Sequence, residues 1–298
     1  MSATNKTTVS LVLGSGGARG LAHIGVIHEL TEKGYEIRSI SGCSIGALVG
    51  GIFAAGRLDD FEQWVKAISK VDIVSLLDIS WQKHGLVKGD KIINTLIELV
   101  GDRKIEDLPI PYTAVAADIK NEKEIWINSG LLFDAIRASI SLPLFFTPVE
   151  YTNGHLIDGG VLNPVPIAPT FNDRTDLTIA VNLGGPLQDR PAPEPARSRA
   201  EDESSSLREK LASYIDDLQD SVKTRAENDW NVYDIADQAF DAMQSTIARH
   251  KLAAYPPDVI IEVARNACGT LEFDRADEMI ELGRDKARQS LAQAPSRV

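Results

Sequence analysis

Short runs of aliphatic and β-branched residues alternate along the chain with longer segments in which apolar residues recur every three or four positions. The short runs predict buried strands, and the longer segments predict helices with one apolar face. Mostly apolar strands that alternate with helices form parallel or mixed sheets covered on both faces, and we expect that architecture here. The predicted strands are Val9–Leu13, Ile37–Ser41, Tyr112–Ala116, Glu124–Asn128, His155–Asp158, Leu177–Leu183 and Asp258–Val263.

Helical spacing of apolar residues extends over much of the remaining chain. Apolar residues before a break around Lys83–Gly89 raise the hypothesis that Asp72–Val100 forms a lid. The last two helical segments are amphipathic with acidic outer faces, which favours packing on the domain over contact with a membrane or a partner. The predicted helices are Leu21–Lys33, Ser44–Ala55, Phe61–Val100, Leu131–Ser139, Leu207–Val222 and Trp230–Leu252.

The segment Pro186–Ser206 differs in kind from its surroundings. It contains the run DRPAPEPARSRAEDESSS, which is rich in proline, serine and charge and too poor in apolar residues to build a core. We therefore predict a disordered surface insert at this position.

Net charge and composition narrow the function. The formal charge of −12 argues against a nucleic-acid-binding protein and against simple electrostatic attraction to anionic lipid surfaces. The uncharged stretch Ile45–Gly56, largely of small and apolar residues, has 12 residues, whereas a membrane-spanning helix needs about 20. The first residues lack a secretory signal, and Cys43 and Cys268 are too few for a disulfide framework. The expectation is a cytoplasmic enzyme.

The sharpest chemical signal is Gly42-Cys43-Ser44-Ile45-Gly46, a G-x-S-x-G between a predicted strand and a predicted helix. Such a turn exposes the serine hydroxyl at the top of a sheet, and Gly42 and Gly46 permit close backbone packing around it. Ser44 also lies at a helix N-terminus, where N–H groups and the helix dipole favour developing negative charge. A simple helix cap is the alternative interpretation, and the strand–turn–helix context favours a nucleophile. Cys43 is expected to point the other way, into the fold.

A glycine-rich loop, Gly14–Gly20, directly follows the first predicted strand. Consecutive glycines before a helix present several N–H groups to one concavity, which suits either a nucleotide phosphate or the oxyanion of acyl transfer. The loop departs from the usual dinucleotide motif because Arg19 occupies the sixth position, and it lacks the Gly-Lys-Ser/Thr of a P-loop. By itself the loop leaves both alternatives open.

A third candidate is Asp158, which ends a predicted strand and precedes Gly159 and Gly160. An aspartate at a strand end followed by two glycines can reach a neighbouring loop without steric obstruction. A simple Asp-Gly turn is the alternative interpretation.

Together the three motifs resemble those of the patatin-like phospholipase family, in that family's order along the chain. The glycine-rich loop of the family is similar to Gly16–Gly20, its serine elbow to Gly42–Gly46 and its Asp-Gly-Gly motif to Asp158–Gly160. The block Ala138–Pro143 resembles the family's intervening Ala-Ser…Pro segment. The resemblance implies a single domain over residues 1–298, folded as a three-layer α/β/α sandwich around a mostly parallel sheet.

The resemblance also implies a serine hydrolase that cleaves lipid acyl esters. Transient contact with a membrane surface is compatible with that activity. No cofactor, metal or nucleic acid is expected. Ser15 stands where the family has the first of three glycines, so one flexible backbone position is replaced. The implied roles are the catalytic dyad Ser44 and Asp158, the oxyanion-hole donors Gly16, Gly17 and Ile45, and the loop-orienting Arg19.

Histidine offers an alternative mechanism, since a conventional Ser–Asp–His triad could use His250, which follows Asp158 in the chain. His250 lies in a predicted helix and is therefore interpreted as a surface residue. Strand alternation places His155 on the face opposite Asp158, and His23 is expected beneath the glycine loop. A regulatory or binding protein on the same fold is the alternative function.

Overall fold

A single eight-stranded sheet with helices on both faces forms the centre of the structure. The structure is a computed structural model that describes residues 6–76, 87–151, 154–188 and 232–293. Several predictions concern residues outside these ranges and are not addressed by it: most of the insert, the helix Leu207–Val222 and residues 77–86 of the hypothetical lid.

The sheet has the order β5-β6-β3-β2-β1-β7-β8, and β4 also pairs with β3. Strands β1, β2, β3, β7 and β8 run parallel, whereas β4 and β6 pair antiparallel with β3 and β5 pairs antiparallel with β6. The bounds are β1 Thr8–Leu13, β2 Glu36–Cys43, β3 Tyr112–Asp118, β4 Lys123–Ile127, β5 Val149–Tyr151, β6 Gly154–Asp158, β7 Leu177–Gly185 and β8 Val259–Ala264. The prediction of a mostly parallel sheet is confirmed.

Helices follow most of the strands, and their bounds agree with the prediction to within a few residues except between Phe61 and Val100. In the described part of that segment the chain forms three helices, the first of which ends where Ile68 adopts an extended conformation. The helices in the described ranges are α1 Ala22–Glu32, α2 Ile45–Ala54, α3 Leu58–Ala67, α4 Lys70–Leu76, α5 Asp90–Val100, α6 Leu132–Ser139, α7 Val232–Ala254 and α8 Ala276–Gln293.

Strand β1 shows how the two faces of the sheet are covered. Leu11 and Leu13 point to one face, where they join the main core with residues of α1 and α2. Val12 points to the other face and packs with Ala180 of β7 and Ala248 of α7. Because successive side chains of a strand alternate between faces, both faces are buried and the molecule has three layers.

The register of strand pairing determines where Ser44 and Asp158 lie in the sheet. Strand β3 lies between β2 and β6, with Cys43 opposite Val115 and Asp158 opposite Ala116. Ser44 follows Cys43 directly, so Ser44 and Asp158 reach the same edge of the sheet with one strand between them.

Two elements were not predicted, β5 and α8. Strand β5 has three half-buried or exposed residues at the sheet edge, too few for a periodic signal. Helix α8 packs on α1 through small residues: a Cβ atom on Gly25 would lie 1.8 Å from the carbonyl oxygen of Ile280, and one on Gly283 would lie 2.0 Å from that of Ala22. Such close packing requires glycine and leaves little hydrophobic pattern to detect.

None of the helices in the described part of the chain combines the length and the apolar composition needed to cross a membrane.

Candidate active site

Ser44 occupies a sharp turn between the end of β2 and the start of α2. Its φ of 56° and ψ of −126° lie in a region that residues with a side chain seldom adopt. The flanking glycines are required by packing, since a Cβ atom on Gly42 would lie 2.5 Å from the carbonyl oxygen of Gly46, and one on Gly46 would lie 2.2 Å from that of Leu13. Tight packing thus maintains the strained serine at the carboxyl edge of the sheet.

The backbone of Ser44 is also held by a residue from a different element. Its N–H donates to the hydroxyl of Ser139 at 2.9 Å, and that hydroxyl donates to the carbonyl of Val115 at 2.6 Å. Ser139 lies in the Ala138–Pro143 block that the sequence analysis identified, although no role was assigned to it there.

Asp158 ends β6 and is 1% exposed. Its Oδ1 accepts a hydrogen bond from the N–H of Gly160 at 2.8 Å and faces the thiol of Cys43 at 3.9 Å. Its Oδ2 is buried and has no hydrogen-bond partner among the residues that the structure describes. One carboxylate oxygen is thus anchored and the other is free.

Burial raises the pKa of Asp158 to about 6, while the polar groups of Ser44, Gly160 and Cys43 near the carboxylate act in the opposite direction. The Ser44 side chain is therefore close to the carboxylate. It does not reach normal hydrogen-bond geometry, since Oδ2 remains unpartnered. In enzymes without bound substrate, catalytic hydrogen bonds are often long or poorly aligned.

The side chain of Cys43 makes a contact that the sequence analysis did not expect. The thiol is buried, as expected of a side chain that points into the fold, but it faces Oδ1 of Asp158. Burial raises the pKa of the thiol well above its ordinary value, and the negative charge of Asp158 adds to the rise. Cys43 therefore remains a neutral thiol beside the carboxylate.

The glycine loop keeps two N–H groups free. The N–H groups of Gly14, Ser15 and Ala18 donate to backbone carbonyls at 2.8–3.1 Å. Those of Gly16 and Gly17 have no hydrogen-bond acceptor within the described ranges. Gly17 has a φ of 57°, which favours glycine. The loop thus presents two adjacent donors, as an anion-binding concavity requires.

Arg19 is almost fully buried and bonded to its own loop. Its Nε donates to the carbonyl of Gly16 at 3.0 Å, and its guanidinium also contacts the carbonyl of Arg265 and forms an ion pair with Asp241 at 3.1 Å. The side chain lies in contact with the loop backbone, where it can orient the Gly16–Gly17 peptide.

The three motifs meet at one place. A Cβ atom on Gly20 would lie 2.1 Å from Ile45 Cγ2, which places the glycine loop against the first residue of α2. A Cβ atom on Gly160 would lie 2.7 Å from Ser15 Oγ. A Cβ atom on Gly159 would lie 3.0 Å from Cys43 Sγ. These contacts join the loop, the elbow and the Asp-Gly-Gly turn.

Among the described residues, His23, His155 and His250 form no hydrogen bond with Asp158. His250 and His155 are exposed. His23 lies beneath the loop, where its Nε2 is 2.9 Å from the carbonyl oxygen of Gly14, and burial lowers its pKa to about 4. His23 is therefore neutral at physiological pH, with Nε2–H as the donor.

One further cluster has the composition of a metal site. The ligand atoms of His28, Asp59 and Glu62 lie within 4.8 Å of one another, a grouping that sequence spacing did not indicate. Glu62 is already paired with His28 at 2.6 Å and with the ammonium group of Lys66 at 2.7 Å. A cation there would compete with Lys66, and the cluster lies outside the candidate site.

Comparison with known proteins places this geometry in a family. The family model for patatin-like phospholipases matches residues 11–171. An uncharacterized NTE family protein of Mycobacterium tuberculosis is 40% identical over 330 residues, which cover 95% of this chain and 91% of the relative.

Relatives in animals share only part of their length with this chain. Patatin-like phospholipase domain-containing protein 7 of Rattus norvegicus is 32% identical over 183 residues, 59% of this chain and 14% of its own. Neuropathy target esterase sws of Drosophila melanogaster is 33% identical over 184 residues, 59% of this chain and 13% of its own. The residues that the family model matches include all three motifs, and the chain belongs to the patatin-like phospholipase family.

Proposed function

We propose that this protein is a serine hydrolase of lipid acyl esters in which Ser44 is the nucleophile and Asp158 the general base. The observation that carries the proposal is the strained Ser44 beside a buried aspartate with one unpartnered oxygen. Family membership supports lipid hydrolase activity. The Drosophila relative bears the name of an esterase, which agrees with the same reaction class.

Acylation begins when Ser44 Oγ attacks the ester carbonyl carbon and its proton passes to Oδ2 of Asp158. The carbonyl π electrons move to oxygen and form a tetrahedral oxyanion. When the intermediate collapses, the bond to the alcohol oxygen breaks and the leaving alcohol takes the proton from Asp158. The products of this half-reaction are the free alcohol and an acyl ester on Ser44.

Deacylation repeats the sequence with water. Asp158 takes a proton from water as the water oxygen attacks the acyl carbon, and a second oxyanion forms. Collapse of this intermediate breaks the bond to Ser44 Oγ, which recovers the proton from Asp158. The fatty acid leaves and the enzyme returns to its starting state.

The surroundings of Asp158 suit this role. A carboxylate with the reference pKa of about 4 is a weak base. Burial raises the pKa of Asp158 to about 6, which strengthens the base while leaving it mostly ionised at neutral pH. The anchored Oδ1 fixes the carboxylate so that Oδ2 is the oxygen that exchanges the proton.

The oxyanion would be stabilised by the N–H groups of Gly16, Gly17 and Ile45. Ile45 is the first residue of α2, so its N–H has no partner within the helix, and the positive end of the helix dipole lies at the same place. Loss of one such donor typically lowers the rate about 10²–10³-fold.

The test is hydrolysis of p-nitrophenyl esters from butyrate to palmitate by the wild type and by Ser44→Ala, Asp158→Asn and His250→Ala. We expect the first two variants to lose at least about 10³-fold in kcat. We expect His250→Ala to match the wild type, because its side chain is exposed on α7.

A loss in His250→Ala equal to that in Ser44→Ala would replace the dyad with a triad. A wild type inactive on every ester would support a binding or regulatory protein on this fold instead.

A further inference from the structure

Helix α7 lies outside the residues that the family model matches, yet its buried face contacts the candidate site. Asp241 and Gln244 are three residues apart, so they lie on the same side of the helix about one turn from each other. Each contacts a different residue of the glycine loop. The loop is therefore tied to a helix that follows it by more than two hundred residues.

The first contact runs from Asp241 through Arg19. The carboxylate of Asp241 pairs with the guanidinium at 3.1 Å, and Arg19 Nε donates to the carbonyl of Gly16 at 3.0 Å. The carbonyl of Gly16 and the N–H of Gly17 belong to one planar peptide group and point in opposite directions. Holding that carbonyl with Arg19 therefore fixes the direction of the Gly17 N–H.

The second contact involves Ser15, which stands where the family pattern has a glycine. Gln244 Nε2 donates to Ser15 Oγ at 3.2 Å, and the two residues are 8% and 9% exposed. A glycine at position 15 would offer no side-chain acceptor. The N–H of Ser15 donates to the carbonyl of Pro164 at 2.8 Å, so both its backbone and its side chain are held.

The Gln244 amide also lies at the junction of the loop and the turn that carries the base. A Cβ atom on Gly160 would be 2.2 Å from Gln244 Nε2 and 3.1 Å from Asp158 Oδ1. The amide thus packs directly over the backbone of this turn, and glycine at 160 is what leaves room for it.

A third contact fixes the far end of α7 near the same turn. Lys251 pairs with Glu124 at 2.6 Å, and Glu124 accepts a hydrogen bond from Asn163 at 2.8 Å. The N–H of Asn163 donates to the carbonyl of Gly159, which follows Asp158. The helix is therefore anchored on both the loop and the base turn.

We propose that Asp241 and Gln244 are positioning residues that hold the glycine loop so that the N–H groups of Gly16 and Gly17 point at the oxyanion. Neither side chain need touch the substrate ester. The inference rests on the proposed function, because it assigns the oxyanion role to this loop. A loop misplaced by about 1 Å typically costs about 10²-fold in rate.

The test combines Gln244→Met, Ser15→Ala and the double variant in a cycle. Gln244→Met keeps the volume of the side chain and removes its amide. Gln238→Met is the matched control, because Gln238 is an exposed glutamine on the same helix. The measurements are kcat for p-nitrophenyl ester hydrolysis and the melting temperature. The values of KM are compared as well, because loss of oxyanion positioning lowers kcat and leaves KM unchanged.

We expect each single variant to lower kcat about 10-fold. The kcat of the double variant should equal that of the less active single variant, because both substitutions remove the same hydrogen bond. Gln238→Met should match the wild type. Additive losses in the double variant, or a kcat for Gln244→Met equal to that of Gln238→Met, would overturn the proposal.

A second measurement does not depend on hydrolysis. Amide hydrogen exchange of the peptide that contains Ser15 and Ala18, whose N–H groups are bonded, should be about 10-fold faster in Gln244→Met than in Gln238→Met. Equal exchange would overturn the proposal even if Ser44-dependent hydrolysis is observed. If the wild type is inactive on every ester but exchange is faster in Gln244→Met, Gln244 holds the loop, and the hydrolase function is rejected together with the oxyanion role that depends on it.

Discussion

The backbone N–H of Ser44 is hydrogen-bonded to the hydroxyl of Ser139 at 2.9 Å, although 95 residues separate them in the chain. Both groups are buried. The same hydroxyl donates to the carbonyl of Val115 in β3. One side chain at the end of α6 thus joins the serine elbow to the strand that lies between Ser44 and Asp158.

Replacing Ser139 by alanine should lower both stability and activity. The change leaves the N–H of Ser44 and the carbonyl of Val115 buried without their partner, which costs on the order of 1–3 kcal/mol per group. The elbow would relax, and we expect kcat for ester hydrolysis to fall about 10-fold or more. Chemical denaturation and steady-state kinetics measure the two effects.

The control for Ser139→Ala is Ser290→Ala, which removes a serine hydroxyl from α8, a helix that carries none of the three motifs. It should leave kcat unchanged. Wild-type kcat in Ser139→Ala would show that the elbow holds its geometry without this hydrogen bond.

The pH dependence of hydrolysis should report the ionisation of Asp158. A general base must be deprotonated, so kcat/KM should rise with pH and reach half of its plateau near pH 6, the value to which burial raises the pKa. A pH–rate profile of the free enzyme measures this midpoint. A midpoint near 4, the ordinary value for an aspartate, would show that Asp158 is not the group that limits activity in acid.

Cys43 should influence the same midpoint. Its thiol acts as a hydrogen-bond donor to Asp158, which stabilises the carboxylate and lowers its pKa. Cys43→Ala removes the donor, so the midpoint of the kcat/KM profile should move to higher pH. Cys268→Ala is the matched control, because Cys268 is also a buried free cysteine but lies outside the three motifs. A shift to lower pH in Cys43→Ala would contradict the assigned direction.

Asp158→Asn should be more stable than the wild type at high pH. The pKa of Asp158 is raised from 3.8 to about 6 in the folded state, so the folded protein binds this proton more tightly than the unfolded chain. The stability that this proton contributes is present below pH 4 and is lost as the pH rises through 6. The loss is on the order of 3 kcal/mol in the wild type and absent in the variant.

Denaturant unfolding of wild type and Asp158→Asn at pH 4 and pH 8 tests this difference. The advantage of the variant in free energy of unfolding should be larger at pH 8. An advantage that is equal at both pH values would mean that the ionised carboxylate is not destabilising in the fold.

The backbone conformation of Ser44 predicts a difference in stability between two variants that lack its hydroxyl group. A φ of 56° with a ψ of −126° costs about 1–3 kcal/mol for a residue with a Cβ atom, and glycine avoids most of this strain. Ser44→Gly should therefore melt at a higher temperature than Ser44→Ala, even after the extra chain entropy of glycine. Equal melting temperatures would indicate that the elbow relaxes in the alanine variant.

Local patterns were enough to predict most of the architecture. The strand before Ser44 and the helix after it, the glycine loop behind β1 and the aspartate at the end of β6 were all identified from periodicity and turn residues. The reason is physical: strand and helix periods and the backbone freedom of glycine act over a few residues and leave a direct trace in the sequence. The family motifs added which of these turns belong together.

The tertiary structure decided which distant groups meet. Ser139 beneath the elbow and Gln244 on the loop were not predicted, and the expected direction of the Cys43 thiol did not include its contact with Asp158, because a single polar side chain has no periodic signal. Their partners lie 95, 229 and 115 residues away in the chain. Helix α8 was not predicted, because it packs on α1 through small residues that leave little hydrophobic pattern in the sequence. The sequence by itself determined the elements and their chemistry, whereas the order of strands and the packing of helices determined the contacts that hold the candidate site together.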